Sequence, residues 1–148
     1  IDEASLANKR ALVQQALDLH DLNGTQPLEI LAKLGGFEVV QICGAILAAA
    51  ELKIPVLVDG FICSAAAMIA CLLQPNTRDY LIFAHCSNEQ GHKRMLEWFD
   101  AQAVLSLDLR LGEGTGAALC LPLLQSALAL YKDMASFQQA NVEDVVTT

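Results

Sequence analysis

One ten-residue segment of the chain combines residue types that could carry out a reaction. It reads Arg110-Leu-Gly-Glu-Gly-Thr-Gly-Ala-Ala-Leu119 and sets a single carboxylate, Glu113, among three glycines. The segment falls where an apolar strand is predicted to run into a long apolar helix. A turn of this kind exposes backbone N–H groups and the positive end of a helix dipole, which together favour an anionic ligand. The segment therefore predicts an active site in which an anion lies beside one acid/base side chain.

The residues alone leave two roles open for Glu113. Its carboxylate could act as an acid or base, or it could cap the following helix, a role that carboxylates fill readily. Gly112, Gly114 and Gly116 permit a tight turn and a close approach of a ligand to the backbone. Their spacing is GxGxG rather than GxGxxG, which disfavours a nicotinamide dinucleotide cofactor. Arg110 could pair with a phosphate or a carboxylate, or it could be an ordinary surface cation at the end of a strand.

Three further polar residues stand where a site could form. Ser87 follows a predicted strand and could bind a ligand or begin a helix, since Ser87-Asn-Glu-Gln90 resembles a capping pattern. Lys9 lies on the face of a predicted helix, where most lysines are solvated. Asp59 follows another strand and is expected to play only a supporting structural role at the rim of the site.

The histidines and cysteines suggest no further chemistry. No reaction is assigned to His85 or Cys86, and His20 and His92 are predicted to face solvent. A hydrolytic triad is disfavoured because no serine or cysteine is accompanied by a separate base. The five cysteines are an odd number with no CxxC pair, which indicates reduced core thiols of a cytosolic protein and makes zinc ligation improbable.

Hydrophobic periodicity predicts helices that alternate with short apolar strands. Helices are expected at 3–20, 28–34, 38–52, 61–73, about 89–99, from 114 or 115 to about 132, and at 134–140, and strands at 54–58, 80–84 and 104–109. This alternation predicts an α/β fold with a parallel sheet and right-handed crossovers. Ligands of such sheets bind beyond the carboxyl ends of the strands. Asp59, Ser87 and Glu113 are therefore expected to line one rim.

Composition narrows the class of protein. The chain has 148 residues, of which 54% are hydrophobic, enough for one compact core. Its net charge of −8 argues against nucleic acid or an anionic membrane as a partner, because Lys and Arg hold both. No apolar run reaches the roughly 18 residues of a membrane span, and no secretory signal is visible. A cytoplasmic location is expected.

Four segments in order carry a family resemblance. They are Lys33-Leu-Gly-Gly-Phe-Glu38, Pro55-Val-Leu-Val-Asp-Gly-Phe61, Tyr80-Leu-Ile-Phe-Ala-His-Cys-Ser87 and the segment that contains Glu113. With these segments the chain resembles the nicotinate-nucleotide:dimethylbenzimidazole phosphoribosyltransferases. The resemblance implies a Rossmann-like core at about 27–130, with helices 3–20 and 131–141 joining a small helical domain. Because family members are considerably longer, the chain is expected to be their C-terminal portion, to be inactive alone, and either to self-associate or to pack beside the rest of the protein.

The resemblance also implies a reaction and a set of residues. The reaction transfers the phosphoribosyl group of nicotinate mononucleotide to 5,6-dimethylbenzimidazole, for the nucleotide loop of cobalamin. Glu113 matches the family's general base, and Lys9, Ser87, Arg110 and Gly112 match positions that hold the nucleotide. The family is homodimeric and uses no cofactor and no metal. Two alternatives remain open: a non-catalytic α/β module that binds a phosphorylated small molecule, and, less favoured by the glycine spacing, a Rossmann oxidoreductase.

Overall fold

Helices separated by two short parallel strands form most of the chain. The computed structural model describes residues 2–22, 26–109 and 111–140. The helices are α1 (Glu3–His20), α2 (Pro27–Leu34), α3 (Phe37–Glu51), α4 (Phe61–Leu73), α5 (Gln90–Trp98) and α6 (Thr115–Asp133), the strands are β1 (Val56–Val58) and β2 (Leu81–Phe83), and a 3-10 helix spans Pro75–Tyr80. The predicted α/β alternation is confirmed, and the six longer helices begin and end close to the residues that periodicity indicates.

The sheet is parallel, as the alternation predicts. Strand β1 pairs with β2 in the register Val56 with Leu81 and Val58 with Phe83. The helix α4 connects the two strands, so the chain crosses over one face of the sheet between them. Both strands end just before polar residues, which places Asp59 and His85 at the same carboxyl edge.

The third predicted strand, 104–109, is wrong in its length. The segment joins the sheet only through one parallel bridge, between Leu105 and His85. Backbone N–H groups of Val104 and Leu105 donate to the sheet at 2.9 Å each, and the pairing then stops. Asp108 has a φ of 50°, which no strand residue adopts, so the chain bends away from β2 after the bridge.

The core lies between the sheet and the helices α3 and α4. Three alanines of α4, Ala66, Ala67 and Ala70, are fully buried, which lets the helix approach its neighbours closely. Valine, leucine and phenylalanine side chains of both strands pack on the same cluster, together with Leu96 and Phe99 at the end of α5. The expected core thiols are free, and Cys43, Cys71 and Cys120 are buried. Burial raises the pKa of each of these three thiols.

The first and last helices expose much apolar surface. Helix α1 is capped by Asp2, whose carboxylate accepts the Ser5 N–H at 2.8 Å, but none of its residues is buried. On α6, Leu130 and Tyr131 are 64% and 87% exposed. Surfaces of this kind commonly pack against other chains or segments. None of the described helices is both long and apolar enough to cross a membrane.

The short helix predicted at 134–140 is also wrong. Met134 is extended, with φ −71° and ψ 125°, and its N–H donates to Leu130 to end α6. A single turn follows, in which Ser136 and Gln139 hydrogen-bond each other's backbone N–H groups. One capped turn with one i to i+4 hydrogen bond, Ala140 to Ser136, is too short to count as a helix.

Candidate active site

A cleft of about 400 Å³ opens at the carboxyl edge of the sheet. It is lined by residues 59–63, which follow β1 and begin α4, by residues 85, 87 and 89 after β2, and by residues 109 and 111–114 before α6. The three chain segments that reach the cleft are the three that follow paired strand residues. The position agrees with the rule for parallel sheets and confirms that Asp59, Ser87 and Glu113 line one rim.

The turn before α6 has an unusual backbone. Gly112, Glu113 and Gly114 have φ values of 69°, 55° and 79°, so three consecutive residues are left-handed. Glycine adopts this conformation freely, whereas a glutamate there costs about 1–2 kcal/mol. An added Cβ at Gly112 or Gly114 would meet no atom within 4 Å, so these two positions need glycine for backbone conformation rather than for space. Four other described non-glycine residues also have a positive φ, and of the five only Glu113 lines the cleft; strained residues are common at functional sites.

Asp59, and not Glu113, supplies the side-chain hydrogen bond to the start of α6. Its Oδ1 accepts the N–H of Ala117, in the first turn, at 2.9 Å. The N-cap residue is Gly114, which has no side chain to offer, and Glu113 precedes it. The capping role that the sequence left open for Glu113 is therefore filled from the other side of the cleft. Glu113 itself is exposed and lines the cleft.

His85 contacts both Asp59 and the first turn of α6. Its Nδ1 donates to the backbone carbonyl of Asp59 at 2.8 Å, which leaves Nε2 unprotonated in the neutral ring. The ring packs directly on Gly116, where an added Cβ would lie 2.8 Å from His85 Cγ and 2.9 Å from Asp59 Oδ1. His85 is 4% exposed, and its Nε2 has no hydrogen-bond partner among the described residues. The supporting structural role expected of Asp59 matches these contacts.

Ser87 lies in a second network on the other side of the cleft. Its Oγ donates to Glu89 Oε2 and lies 2.8 Å from His92 Nδ1, and its backbone N–H donates to the same Nδ1 at 3.0 Å. The opposite ring atom, His92 Nε2, lies 2.9 Å from the Oγ of buried Ser64 on α4. Burial lowers the pKa of His92, His85 acts in the same direction, and Glu89 and Asp59 oppose them. The net lowering favours the neutral imidazole.

The prediction that His92 faces solvent is wrong, because its side chain is fully buried. The spacing of apolar residues after His92 could have predicted its burial. His92 stands three, four and seven residues before Met95, Leu96 and Phe99, which is the spacing of one helix face. Leu96 and Phe99 belong to the core and Met95 packs against it, so the histidine heads the buried face of α5.

The structure brings together only part of the predicted set of site residues. Ser87, Gly112 and Glu113 all line the cleft. Lys9 does not line it; the residue is exposed on α1, which buries no side chain in the described chain. Arg110 lies outside the described residues. The capping pattern at Ser87-Asn-Glu-Gln90 is not formed as expected, since α5 has Glu89 as its N-cap and no side-chain capping bond.

Fold and cleft define a parallel α/β protein with a cleft beyond the carboxyl ends of its strands, the place where ligands of such sheets bind. A family model described as phosphoribosyltransferase matches residues 1–142. The chain is 58% identical over 146 residues to the nicotinate-nucleotide–dimethylbenzimidazole phosphoribosyltransferase of Pseudoalteromonas translucida, covering 99% of this chain and 41% of that protein. It is 59% identical to the protein of the same name from Shewanella frigidimarina, covering 99% and 42%. The chain belongs to the nicotinate-nucleotide–dimethylbenzimidazole phosphoribosyltransferase family.

Solved structures agree with this assignment. A crystal structure described as CobT from Thermus thermophilus superposes with a TM-score of 0.90 at 42% identity, over 97% of this chain and 43% of that one. A nicotinate-nucleotide–dimethylbenzimidazole phosphoribosyltransferase from the same organism gives a TM-score of 0.77 at 44% identity, over 81% and 36%. The chain therefore spans about two fifths of the length of the curated relatives that it matches.

Proposed function

We propose that this chain forms part of an enzyme that transfers the phosphoribosyl group of nicotinate mononucleotide to 5,6-dimethylbenzimidazole. The products are α-ribazole 5′-phosphate and nicotinate. The relatives carry this activity in their names. The observation that carries the proposal is the position of Glu113, in a strained glycine turn that opens on the cleft.

The chemistry requires one base. A benzimidazole nitrogen attacks C1′ of the nucleotide, the bond from C1′ to the nicotinate nitrogen breaks, and the anomeric centre inverts from β to α. As the first ring nitrogen bonds to the sugar, the second must lose its proton, or the product stays cationic. Glu113 accepts this proton. Nicotinate leaves as a neutral pyridine ring from a pyridinium, so its departure requires no general acid.

The arrangement of helices favours an anionic nucleotide. Helix α4 begins at Phe61 after Gly60, helix α6 begins at Thr115 after Gly114, and neither start has a capping bond from its own N-cap side chain. Residues at both starts line the cleft. The positive ends of two helix dipoles meet there and offer a phosphate their backbone N–H groups, beside the carboxylates of Asp59, Glu89 and Glu113.

Residues on both sides of the cleft then hold the nucleotide. We assign nucleotide binding to Ser87 and to the backbone at Gly112, which line the cleft. Lys9 and Arg110 are proposed to contact the nucleotide on the basis of the family resemblance. Lys9 would do so from α1, whose exposed apolar face fits a helix that packs on another part of the assembly.

The assembly that we propose is a cytoplasmic homodimer that binds neither nucleic acid nor membrane. The acidic net charge supports the absence of binding to nucleic acid or membrane. Exposed leucines on α1 and α6 support the homodimer, because apolar surface on this scale is usually covered by another subunit or segment.

The test is an assay of nicotinate release by the protein expressed from its native gene. Nicotinate mononucleotide is supplied with and without dimethylbenzimidazole, and both nicotinate and the α-ribotide are measured. We expect both products in equal amounts only when the base is present. Binding of nicotinate mononucleotide without turnover would instead support the non-catalytic module, and tighter binding of NAD than of the mononucleotide would support an oxidoreductase.

A further inference from the structure

The His92 imidazole connects the cleft to the core through both of its ring nitrogens. Nδ1 accepts the backbone N–H of Ser87 at 3.0 Å, and Nε2 lies 2.9 Å from Ser64 Oγ. Ser87 lines the cleft, whereas Ser64 is fully buried on α4. The ring therefore joins the segment after β2 to the helix whose N-terminus forms the opposite wall of the cleft.

These contacts fix the state of the ring. A backbone N–H can only donate, so Nδ1 must carry a lone pair rather than a proton. In the neutral ring the proton is then on Nε2, which donates to Ser64. A proton on Nδ1, in the other neutral tautomer or in the charged ring, would break the bond to the Ser87 N–H, and the charged ring would also carry the cost of burial. The bond from the Ser87 N–H therefore favours the tautomer with its proton on Nε2.

The ring is buried beside Phe61 at the junction of α4 and α5. The ring of Phe61 lies at a 6.4 Å centroid distance with an interplanar angle of 66°. An added Cβ at Gly91, next in the chain, would come within 2.8 Å of Phe61 Cε2, so α5 begins in close contact with the start of α4. The side chain of His92 is fully buried. A bond to Ser87 made from such a buried group holds Ser87 in one position.

We propose that His92 is a positioning residue for the nucleotide: its Nδ1 accepts the backbone N–H of Ser87 and so holds Ser87 at the rim of the cleft. The inference rests on the proposed function, since it takes nicotinate mononucleotide as the ligand of Ser87. His92 does not touch the substrate. Its neutral ring orients Ser87 through the backbone N–H before the nucleotide arrives, so that binding does not have to order this residue.

Two substitutions of His92 distinguish the role of Nδ1 from that of Nε2. In His92→Asn the amide oxygen stands near the place of Nδ1 and still accepts from Ser87, but the contact with Ser64 is lost. In His92→Gln the amide nitrogen reaches the place of Nε2 and still donates to Ser64, but the acceptor for Ser87 is lost. A buried histidine with a merely structural role would make the two variants alike, or would favour the longer glutamine.

We expect the KM for nicotinate mononucleotide to rise about tenfold in His92→Gln, which corresponds to one lost hydrogen bond of ~1.4 kcal/mol. In His92→Asn the KM should stay within about threefold of wild type, a change of ~0.7 kcal/mol. The KM for dimethylbenzimidazole should not change in either variant. His20→Gln is the matched control, because His20 ends α1 and does not line the cleft.

Equal mononucleotide KM values for the Asn and Gln variants would overturn the proposal while leaving the proposed function intact. Absence of nicotinate release from the wild-type protein would refute the proposed function instead. A further measurement on the wild-type protein depends neither on activity nor on the folding of a variant. In ¹⁵N-labelled wild-type protein, His92 Nδ1 should be unprotonated and show a scalar coupling to the Ser87 amide across their hydrogen bond, and a protonated Nδ1 would contradict the proposal.

Discussion

Gly116 lies in the first turn of α6, where an added methyl group would collide with two parts of the site. The Cβ of Gly116→Ala would lie 2.8 Å from His85 Cγ and 2.9 Å from Asp59 Oδ1. Neither group can move easily, because His85 is buried and bonded to Asp59, and Asp59 holds the Ala117 N–H. Helix α6 and the histidine must therefore separate.

The expected magnitude follows from two opposing effects. Overpacking a fixed site typically costs about 1–3 kcal/mol, whereas alanine is favoured over glycine inside a helix by about 1 kcal/mol. We expect Gly116→Ala to lower the free energy of unfolding by up to about 2 kcal/mol. The matched control is Gly44→Ala on α3, where an added Cβ meets nothing within 4 Å. That variant should gain about 0.5–1 kcal/mol.

The assay is denaturant unfolding, in which the midpoint should fall for Gly116→Ala and rise for Gly44→Ala at an unchanged slope. Nicotinate release provides the second readout. Because the start of α6 carries the turn with Glu113, a displacement of about 1 Å there should reduce kcat by up to about 100-fold. Equal stability of the two alanine variants would refute the packing that we describe around Gly116.

Three further outcomes are expected. Glu113→Gly should relieve the left-handed backbone at this position and raise the free energy of unfolding by about 1 kcal/mol while abolishing turnover; a loss of stability in a melting curve would argue against strain. Asp59→Ala should lower the free energy of unfolding by about 1 kcal/mol, because the hydrogen bond to the start of α6 is lost. Asp59→Asn keeps an acceptor oxygen and should lower it clearly less, and equal melting temperatures of the two variants would contradict this. The pKa of His92 is lowered in the folded protein, so the folded protein binds fewer protons than the unfolded chain as the pH falls. The contribution of His92 to stability should therefore be complete above about pH 6.5 and lost as the pH falls below that value. Urea titrations of wild type and His92→Asn should show a smaller loss of stability at acid pH in the variant.

The sequence predicted most of the fold because its helices follow clear local rules. Apolar runs closed by glycine, proline or polar turns place helices such as Phe61–Leu73 where the structure has them. The errors have local causes that composition does not reveal. The third strand stops at its bridge because Asp108 turns to a positive φ, and the final helix amounts to one turn because Met134 is extended.

Part of the site was also predictable from the sequence. Polar residues after consecutive parallel strands must share an edge of the sheet, which brings Asp59, Ser87 and Glu113 to one cleft. The partners that hold them were not predictable. His92 lies on a polar helix whose buried face is short, and His85 packs on Gly116 across 31 residues of sequence, a contact that depends on how α6 docks on the sheet.

The central claim is that Glu113 accepts the proton of the attacking benzimidazole, and its most direct test is Glu113→Gln in the protein expressed from its native gene. The control is Glu97→Gln, an exposed glutamate on α5 that does not line the cleft. We expect Glu113→Gln to bind nicotinate mononucleotide with wild-type affinity and to lose about 100-fold or more in kcat, as removal of a general base predicts, while Glu97→Gln remains fully active. A Glu113→Gln enzyme that forms the α-ribotide at the wild-type rate would contradict the account.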